Sequence, residues 1–197
     1  MSSNSKFALC LICLLLTVTG CSITSPILEK EPIENTAFLK IGTYFEVNNT
    51  NENLILYDYK DTLASDGLYY ASWKLGNAKL YENSDGDTVD LYDAQLYLLL
   101  GEFIDAKKAQ ENQNAWLEKG KSNYEILSEE QIICNGFPYL MITYTFPDKN
   151  SPYARGISAF GVYENTAICA ELTCQENFTE DLNTILTEFL ENCTYNK

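Results

Sequence analysis

The chain has 197 residues, of which 28 are acidic and 13 are basic, so its formal net charge is −15 at pH 7, and it contains no histidine. Such an acidic surface repels nucleic acid and anionic lipid headgroups, and we expect no nucleic-acid partner. The lack of histidine excludes catalysis, metal ligation and pH switching by imidazole. No phosphate-binding glycine loop is present, and we expect no cofactor.

The chain begins with a short apolar run that predicts a cleavable export signal. Lys6 supplies one positive charge, and Phe7–Val18 is mostly apolar. This run is shorter than the roughly 20 residues that a helix needs to span a bilayer. Residues 1–20 are therefore predicted to be removed.

An aliphatic residue, two small residues and a cysteine end this run as Val18-Thr19-Gly20-Cys21. Their order resembles the lipobox of bacterial lipoproteins. The resemblance implies that the Cys21 thiol is acylated and that Cys21 becomes the first mature residue. The protein would then be lipid-anchored to the cell membrane on its extracytoplasmic face, because a diacylglyceryl group supplies the two chains that stable attachment requires. The alternative is an ordinary secretory signal whose cleavage site contains a cysteine.

The segment after the cysteine predicts a tether. Ser22–Asn35 contains two prolines, several charges and only scattered apolar residues, which is typical of a linker. We therefore predict a lipidated cysteine and flexible tether over 21–35 and one globular domain over 36–197.

The first part of this domain predicts strands. Apolar and aromatic residues alternate with polar ones at 38–47, 54–59, 68–75 and 78–82. Tyr69, Tyr70 and Trp73 could line a ligand groove, although such residues more often belong to the core.

An acidic segment at 83–93 invites comparison with calcium loops. Asp85 and Asp87 match two ligand positions of an EF-hand, but Thr88 replaces the required glycine. A looser calcium site made by Asp85, Asp87 and Asp90 is one interpretation. The other is a turn whose acids complement the dipole of a following helix.

Two helices are predicted next. Apolar residues at helical spacing predict a buried helix over 89–104 with the stripe Tyr92, Leu96, Leu99 and Phe103. A more polar helix is predicted over 106–119, with Gly120 at its end.

The last part of the chain predicts two hairpins and a helix. Strands at 124–134 and 139–146 flank Asn135-Gly136, and strands at 156–163 and 166–174 flank Glu164-Asn165. Thr179 is the predicted N-cap of the helix. Its apolar positions are Leu182, Ile185, Leu186, Phe189, Leu190 and Cys193.

Four cysteines lie in the predicted domain, at Cys134, Cys169, Cys174 and Cys193. Export favours disulfides, and we predict at least one. An antiparallel return of the last helix would bring Cys193 toward Cys169, the pairing we favour. Alternation places Cys174 on the opposite face of the strand from Cys169. If the helix covers that face, Cys174 lies on the same side of the sheet as Cys193, but at the wrong end of the strand to reach it. A zinc site is not expected, because neither histidine nor a CxxC pair is present.

The sequence offers no catalytic constellation. Ser158 lacks the spacing of a nucleophile elbow. Carboxylate pairs such as Asp58 and Asp61 arise by chance in a chain so rich in acids. We therefore do not expect an enzyme.

The order of elements predicts an α+β fold, in which an antiparallel sheet has helices on its faces and an amphipathic helix ends the chain. Over residues 38–193 this order resembles the Mog1/PsbP-type α/β/α sandwich, which implies a binding or accessory role. We expect a non-catalytic lipoprotein whose partner is a protein or an envelope component. The alternatives are a carboxylate-dependent, calcium-assisted envelope hydrolase and an immunity-type inhibitor of a toxin.

Overall fold

The computed structural model of the protein describes residues 37–60, 67–82, 86–148 and 151–196. The predicted signal segment, Cys21 and the whole predicted tether lie outside these residues. Two helices are described, α1 (Ala106–Asn123) and α2 (Leu182–Glu191). The described strands are β1 (Phe38–Ile41), β2 (Phe45–Asn48), β3 (Ile55–Lys60), β4 (Leu68–Glu82), β5 (Thr88–Glu102), β6 (Glu125–Cys134), β7 (Phe137–Thr145), β8 (Arg155–Tyr163), β9 (Thr166–Cys174) and β10 (Cys193–Tyr195).

Seven strands form one antiparallel sheet in the order β3-β4-β5-β9-β8-β7-β6, and β1, β2 and β10 form a second, small antiparallel sheet. Consecutive strands are neighbours everywhere in the large sheet except where β9 pairs with β5. The predicted α+β fold with an antiparallel sheet is confirmed.

One face of the large sheet, which we call the first face, is apolar and lies under α2 and the small sheet. On β5 it carries Ala94, Leu96, Leu98 and Leu100. The Trp73 ring of β4 meets the Phe189 ring of α2 edge to face, with centroids 4.9 Å apart. Burial of this continuous apolar surface is the main stabilising contribution to the fold.

The opposite face, the second face, is only partly apolar. Leu99, Phe160 and Cys169 form a smaller buried cluster with Ala109 and Trp116 of α1. The two helices therefore pack on opposite faces of the sheet. Polar residues occupy the second face beyond the area that α1 covers.

The predicted helix over 89–104 is wrong, because this segment forms β5. Leu96 points to the first face and Leu99 to the second, so the proposed helical stripe is divided between the two sides of a strand. A central strand buried on both faces has a nearly continuous apolar run, which fits a helical and a strand period equally well.

The predicted hairpin at Asn135-Gly136 is confirmed. Both residues have positive φ, 47° and 81°, as a two-residue type I′ turn requires. The loop between β8 and β9 is equally short, and there Glu164 has a φ of 51°.

Several predicted boundaries differ from the structure. The predicted strand 38–47 is divided into β1 and β2, and 68–75 and 78–82 are one strand with an irregularity between Leu75 and Ala78. Helix α1 continues through Gly120, which is buried. Asp181, not Thr179, caps α2 by accepting a hydrogen bond from the Asn183 N–H, and Cys193 begins β10 instead of ending the helix.

Candidate functional site

The polar part of the second face contains aligned side chains from neighbouring strands. Cross-strand pairing places Lys74 opposite Gln95 and Gln95 opposite Thr173. In the next row, Glu171 lies between Tyr97 on β5 and Ser158 on β8. We call this set, together with the tyrosines that contact it, the polar cluster. Its members are Tyr57, Lys74, Tyr92, Gln95, Tyr97, Tyr124, Tyr144, Tyr153, Ser158, Glu171 and Thr173.

Lys74 is surrounded by tyrosine rings. Its Nζ lies 4.5 Å from the ring centroid of Tyr57, 5.3 Å from that of Tyr92 and 5.9 Å from that of Tyr97. The residue is only 8% exposed. Burial lowers the pKa of the Lys74 amine to about 7, although the charges of Asp58 and Asp90 oppose the shift. The amine therefore changes its charge near neutral pH, inside an aromatic environment that favours the charged form.

Gln95, the cross-strand neighbour of Lys74, is hydrogen-bonded to the loop before β8. Its Nε2 donates to the Tyr97 hydroxyl, and its Oε1 accepts from the Tyr153 hydroxyl at 2.7 Å. The side-chain amide thus has partners on both of its polar atoms. The hydrogen bond from Tyr153 to Gln95 links the strands of the polar cluster to the segment between β7 and β8.

Glu171 lies at the centre of a second hydrogen-bond network. Its Oε1 accepts from the hydroxyls of Tyr124 at 3.0 Å, Ser158 at 3.4 Å and Tyr144. The Tyr124 and Tyr144 rings are stacked, with centroids 4.0 Å apart. Burial raises the pKa of the Glu171 carboxyl in spite of these donors. The protonated acid is consequently favoured relative to an exposed glutamate.

A glycine opposite the network makes room for one of its rings. A Cβ atom at Gly156 would lie 2.6 Å from Tyr144 Cζ, closer than packed atoms can approach. Only glycine therefore allows Tyr144 to lie flat over β8 and reach Glu171. The close approach is a structural requirement of this network.

Three buried oxygens of β9 have no hydrogen-bond partner within the described part of the chain: Thr166 Oγ1 at the start of the strand, Glu171 Oε2 and Thr173 Oγ1. Glu171 and Thr173 belong to the polar cluster. Both side chains lie on the second face, two residues apart along the strand. An unpaired buried polar group costs about 1–3 kcal/mol. Such atoms call for a water molecule or a polar ligand group. The polar cluster therefore offers two buried oxygens that a polar group could satisfy.

Sequence reasoning missed this cluster, because its members come from separate strands. Lys74, Gln95 and Ser158 are ordinary residues when each is considered alone. One signal was available in Thr166–Cys174, where Glu171 is the only charged residue of a strand that is buried along its whole length. Buried charges need partners, so an acid at such a position indicates a network.

Only two of the three residues proposed for calcium are described. Asp85 lies outside the described residues, Asp87 precedes β5 and Asp90 lies within it, opposite Leu80. Among the described residues, no cluster of three potential metal ligands is present. The alternative role of these acids at a helix N-terminus is wrong, because a strand follows them.

The predicted aromatic groove residues are distributed between the two faces. Trp73 and Tyr69 are buried with the first-face core, as the alternative interpretation expected. Tyr70 is half-buried, and its hydroxyl donates to Asp58 at 3.1 Å.

All four cysteines of the domain are buried, and no disulfide joins them in this structure. The favoured pairing of Cys169 with Cys193 is contradicted, because Cys169 belongs to the second-face cluster and Cys193 to the first-face core. The sheet separates them. Cys169 and Cys174 lie on opposite faces of the sheet, as alternation predicts. Helix α2, however, covers the face that carries Cys174, not the face that carries Cys169.

Neither helix in the described ranges is sufficiently long and apolar to span a membrane.

Comparison with known proteins gives only distant structural similarity. No protein-family model and no curated protein matches the chain. A solution structure of cyanobacterial PsbP (CyanoP) from Synechocystis sp. PCC 6803 is 13% identical, with a TM-score of 0.39, covering 74% of this chain and 95% of that one. A crystal structure from Bacteroides thetaiotaomicron VPI-5482 is 11% identical, with a TM-score of 0.34, covering 78% of this chain and 46% of that one. Neither similarity assigns a function.

Proposed function

We propose that this protein is a bacterial lipoprotein, anchored through acylated Cys21 on the extracytoplasmic face of the cell membrane, where it acts as a non-catalytic binding or accessory protein. The observation that carries the proposal is the sequence Val18-Thr19-Gly20-Cys21 after the apolar run Phe7–Val18. Two acyl chains at this position would provide stable attachment. The first described strand begins at Phe38, which leaves room for a tether.

The finer architecture we propose is an α/β/α sandwich of the Mog1/PsbP type. Helices on opposite faces of one antiparallel sheet support this assignment. In it, α2 is the amphipathic helix near the C-terminus, and its buried residues are Leu182, Ile185, Leu186, Phe189 and Leu190.

The polar cluster supports a binding role. Glu171 Oε2 and Thr173 Oγ1 are buried without partners, and a ligand group with one donor and one acceptor would satisfy both. Lys74 and its tyrosines add aromatic surface beside them. A protein or envelope component is the partner class we propose, because the function of a tethered domain without catalytic groups is defined by what it binds.

The anchoring is tested by replacing Cys21 with serine in the full chain. Cys21→Ser is expected to move the protein from the membrane fraction to the soluble extracytoplasmic fraction and to abolish incorporation of labelled palmitate. Cys13→Ser is the matched control, because it makes the same change inside the predicted signal, and both properties should persist. Continued membrane fractionation of Cys21→Ser would overturn the proposal.

The binding role is tested by photo-crosslinking in intact cells. A benzoylphenylalanine at Tyr153, which contacts Gln95 of the polar cluster, is expected to give one discrete adduct with the anchored protein. The same probe at Leu80, which is 78% exposed on β4, should not give it. Identical adduct patterns at the two positions, or none at Tyr153, would contradict this role for the polar cluster.

A further inference from the structure

We propose that Cys134 and Cys193 are joined by a disulfide bond in the exported protein. The inference rests on the proposed extracytoplasmic location, because a disulfide persists in an oxidising compartment. It replaces the pairing that the sequence favoured and links β6, at one edge of the large sheet, to β10 of the small sheet.

The chain segments that carry these two cysteines are held together by hydrogen bonds. Asn135, the neighbour of Cys134, donates its Nδ2 hydrogen to the Cys193 carbonyl oxygen at 2.7 Å. The Asn135 N–H donates to Glu191 Oε2 at 2.8 Å. The turn after β6 is thereby fixed against the end of α2 and the start of β10.

The two thiols also share one part of the core. Cys134 and Cys193 are each 1% exposed and belong to the first-face core. Burial, with a smaller contribution from Cys134, raises the pKa of the Cys193 thiol. Both thiols act electrostatically on the Tyr139 hydroxyl. The hydrogen bonds of Asn135 to Cys193 and Glu191 place the two thiols on adjoining segments of this core.

The other two cysteines have no available partner. Cys169 is on the second face, separated by the sheet from Cys134, Cys174 and Cys193. Cys174 is at the end of β9 that pairs with the start of β8 at Arg155, whereas Cys134 is next to the start of β7 at the opposite end of the sheet. Of the six bonds that two of these four cysteines could form, the fold favours only the one between Cys134 and Cys193.

The bond forms by thiol–disulfide exchange. The oxidant is the disulfide of an extracytoplasmic thiol–disulfide oxidoreductase, or glutathione disulfide in vitro. One thiolate attacks the oxidant to give a mixed disulfide, and the second displaces the oxidant's remaining thiol. Two protein thiols lose two electrons and two protons, and the oxidant becomes two thiols. Because burial disfavours the thiolates, we expect oxidation during folding rather than afterwards.

The test maps cysteines in the full chain isolated from cells. Free thiols are trapped with iodoacetamide under denaturing, non-reducing conditions, and the protein is digested and analysed by mass spectrometry. The expected result is one linked peptide pair containing Cys134 and Cys193, with Cys169 and Cys174 alkylated. Alkylation of all four residues in membrane-attached protein, or a link to Cys169 or Cys174, would overturn the inference.

A parallel refolding experiment separates this inference from the proposed location. Denatured, reduced full chain is refolded with a glutathione redox buffer and mapped in the same way. If the protein is retained in the cytoplasm, the proposed function fails, and the link formed in vitro then decides the inference alone. Absence of the link in correctly refolded protein would refute it.

Variants provide a readout that does not depend on mapping. Cys134→Ser and Cys193→Ser should lower the melting temperature of oxidised protein equally, and the double variant should lower it no further. Reductant should lower the melting temperature of the wild type and leave that of these variants unchanged. Cys174→Ser is the control, because it should retain the sensitivity to reductant; loss of that sensitivity would count against the bond.

Discussion

The two faces of the large sheet differ in what their side chains do. The first face is apolar along β5 and β9 and is covered by α2 and the small sheet. The second face is divided between an apolar area under α1 and the polar cluster around Lys74 and Glu171. One face supplies most of the hydrophobic stabilisation, and the other retains buried polar groups that reduce it.

This difference separates a face that is optimised for stability from one that is not. A sheet face filled with leucine and valine would be more stable than one with a buried lysine, a buried glutamate and two unpaired oxygens. Departures from the stability optimum concentrate at functional sites. The first face should therefore respond to mutation as a core, whereas the second face should respond mainly to pH.

The largest effect is expected on the first face. Leu98 is fully buried in β5, so Leu98→Ala removes apolar contacts and leaves a cavity that should lower the free energy of unfolding by about 4 kcal/mol. Chemical denaturation monitored by tryptophan fluorescence measures it. Leu80→Ala, at a position 78% exposed, should change it by less than about 0.5 kcal/mol. Equal losses in both variants would contradict the assigned first-face core.

A smaller effect with a distinct pH dependence is expected from Lys74. Its pKa of about 7 is below the ordinary value of 10.5, so between these values the unfolded chain binds the proton more often than the folded protein does. Stability should therefore rise with pH in this window, by about 3 kcal/mol between pH 6 and pH 9. Lys74→Met should abolish this rise, and denaturation curves across the range measure it.

The control for this lysine lies on the same strand. Lys79 is exposed and forms a surface ion pair with Asp93, so Lys79→Met should change stability by less than about 1 kcal/mol at each pH. The same steep rise in Lys74→Met as in the wild type would show that the tyrosine-lined lysine does not control the pH response.

The sequence predicted the elements whose signals are local. Asn135-Gly136 predicts its hairpin because both residues tolerate positive φ. The composition of the segment after Ala106 is enough to predict the polar helix α1. Strand β5 was not predictable in this way, because a run such as Leu98-Leu99-Leu100 is apolar on every side. Only the neighbours that cover both faces distinguish a central strand from a buried helix.

The polar cluster depends on register, which no local pattern contains. Glu171 meets Ser158 because β8 and β9 pair at those residues, and it meets Tyr144 because Gly156 leaves space on the strand between them. The predicted pairing of Cys169 with Cys193 was wrong for a related reason. Alternation separated Cys169 from Cys174 correctly, but the covered face was determined by tertiary packing.

The smallest effect is expected at Glu171 and also follows pH. Burial raises the pKa of its carboxyl in the folded protein, so the folded state retains the proton to a higher pH than the unfolded chain, and stability contributed by this group is lost as pH rises through the folded pKa. Glu171→Gln resembles the protonated acid and keeps an acceptor for Tyr144. The free energy of unfolding of Glu171→Gln minus that of the wild type should therefore increase as pH rises. Lys74 contributes equally to both proteins, so its effect cancels in this difference.

The exposed Glu176→Gln is the control, and its free energy of unfolding should stay within about 0.5 kcal/mol of the wild type throughout. A Glu171→Gln difference that stays constant or falls with pH would mean that the carboxylate is ionised and satisfied in the folded protein, and that the second face is not destabilised by it.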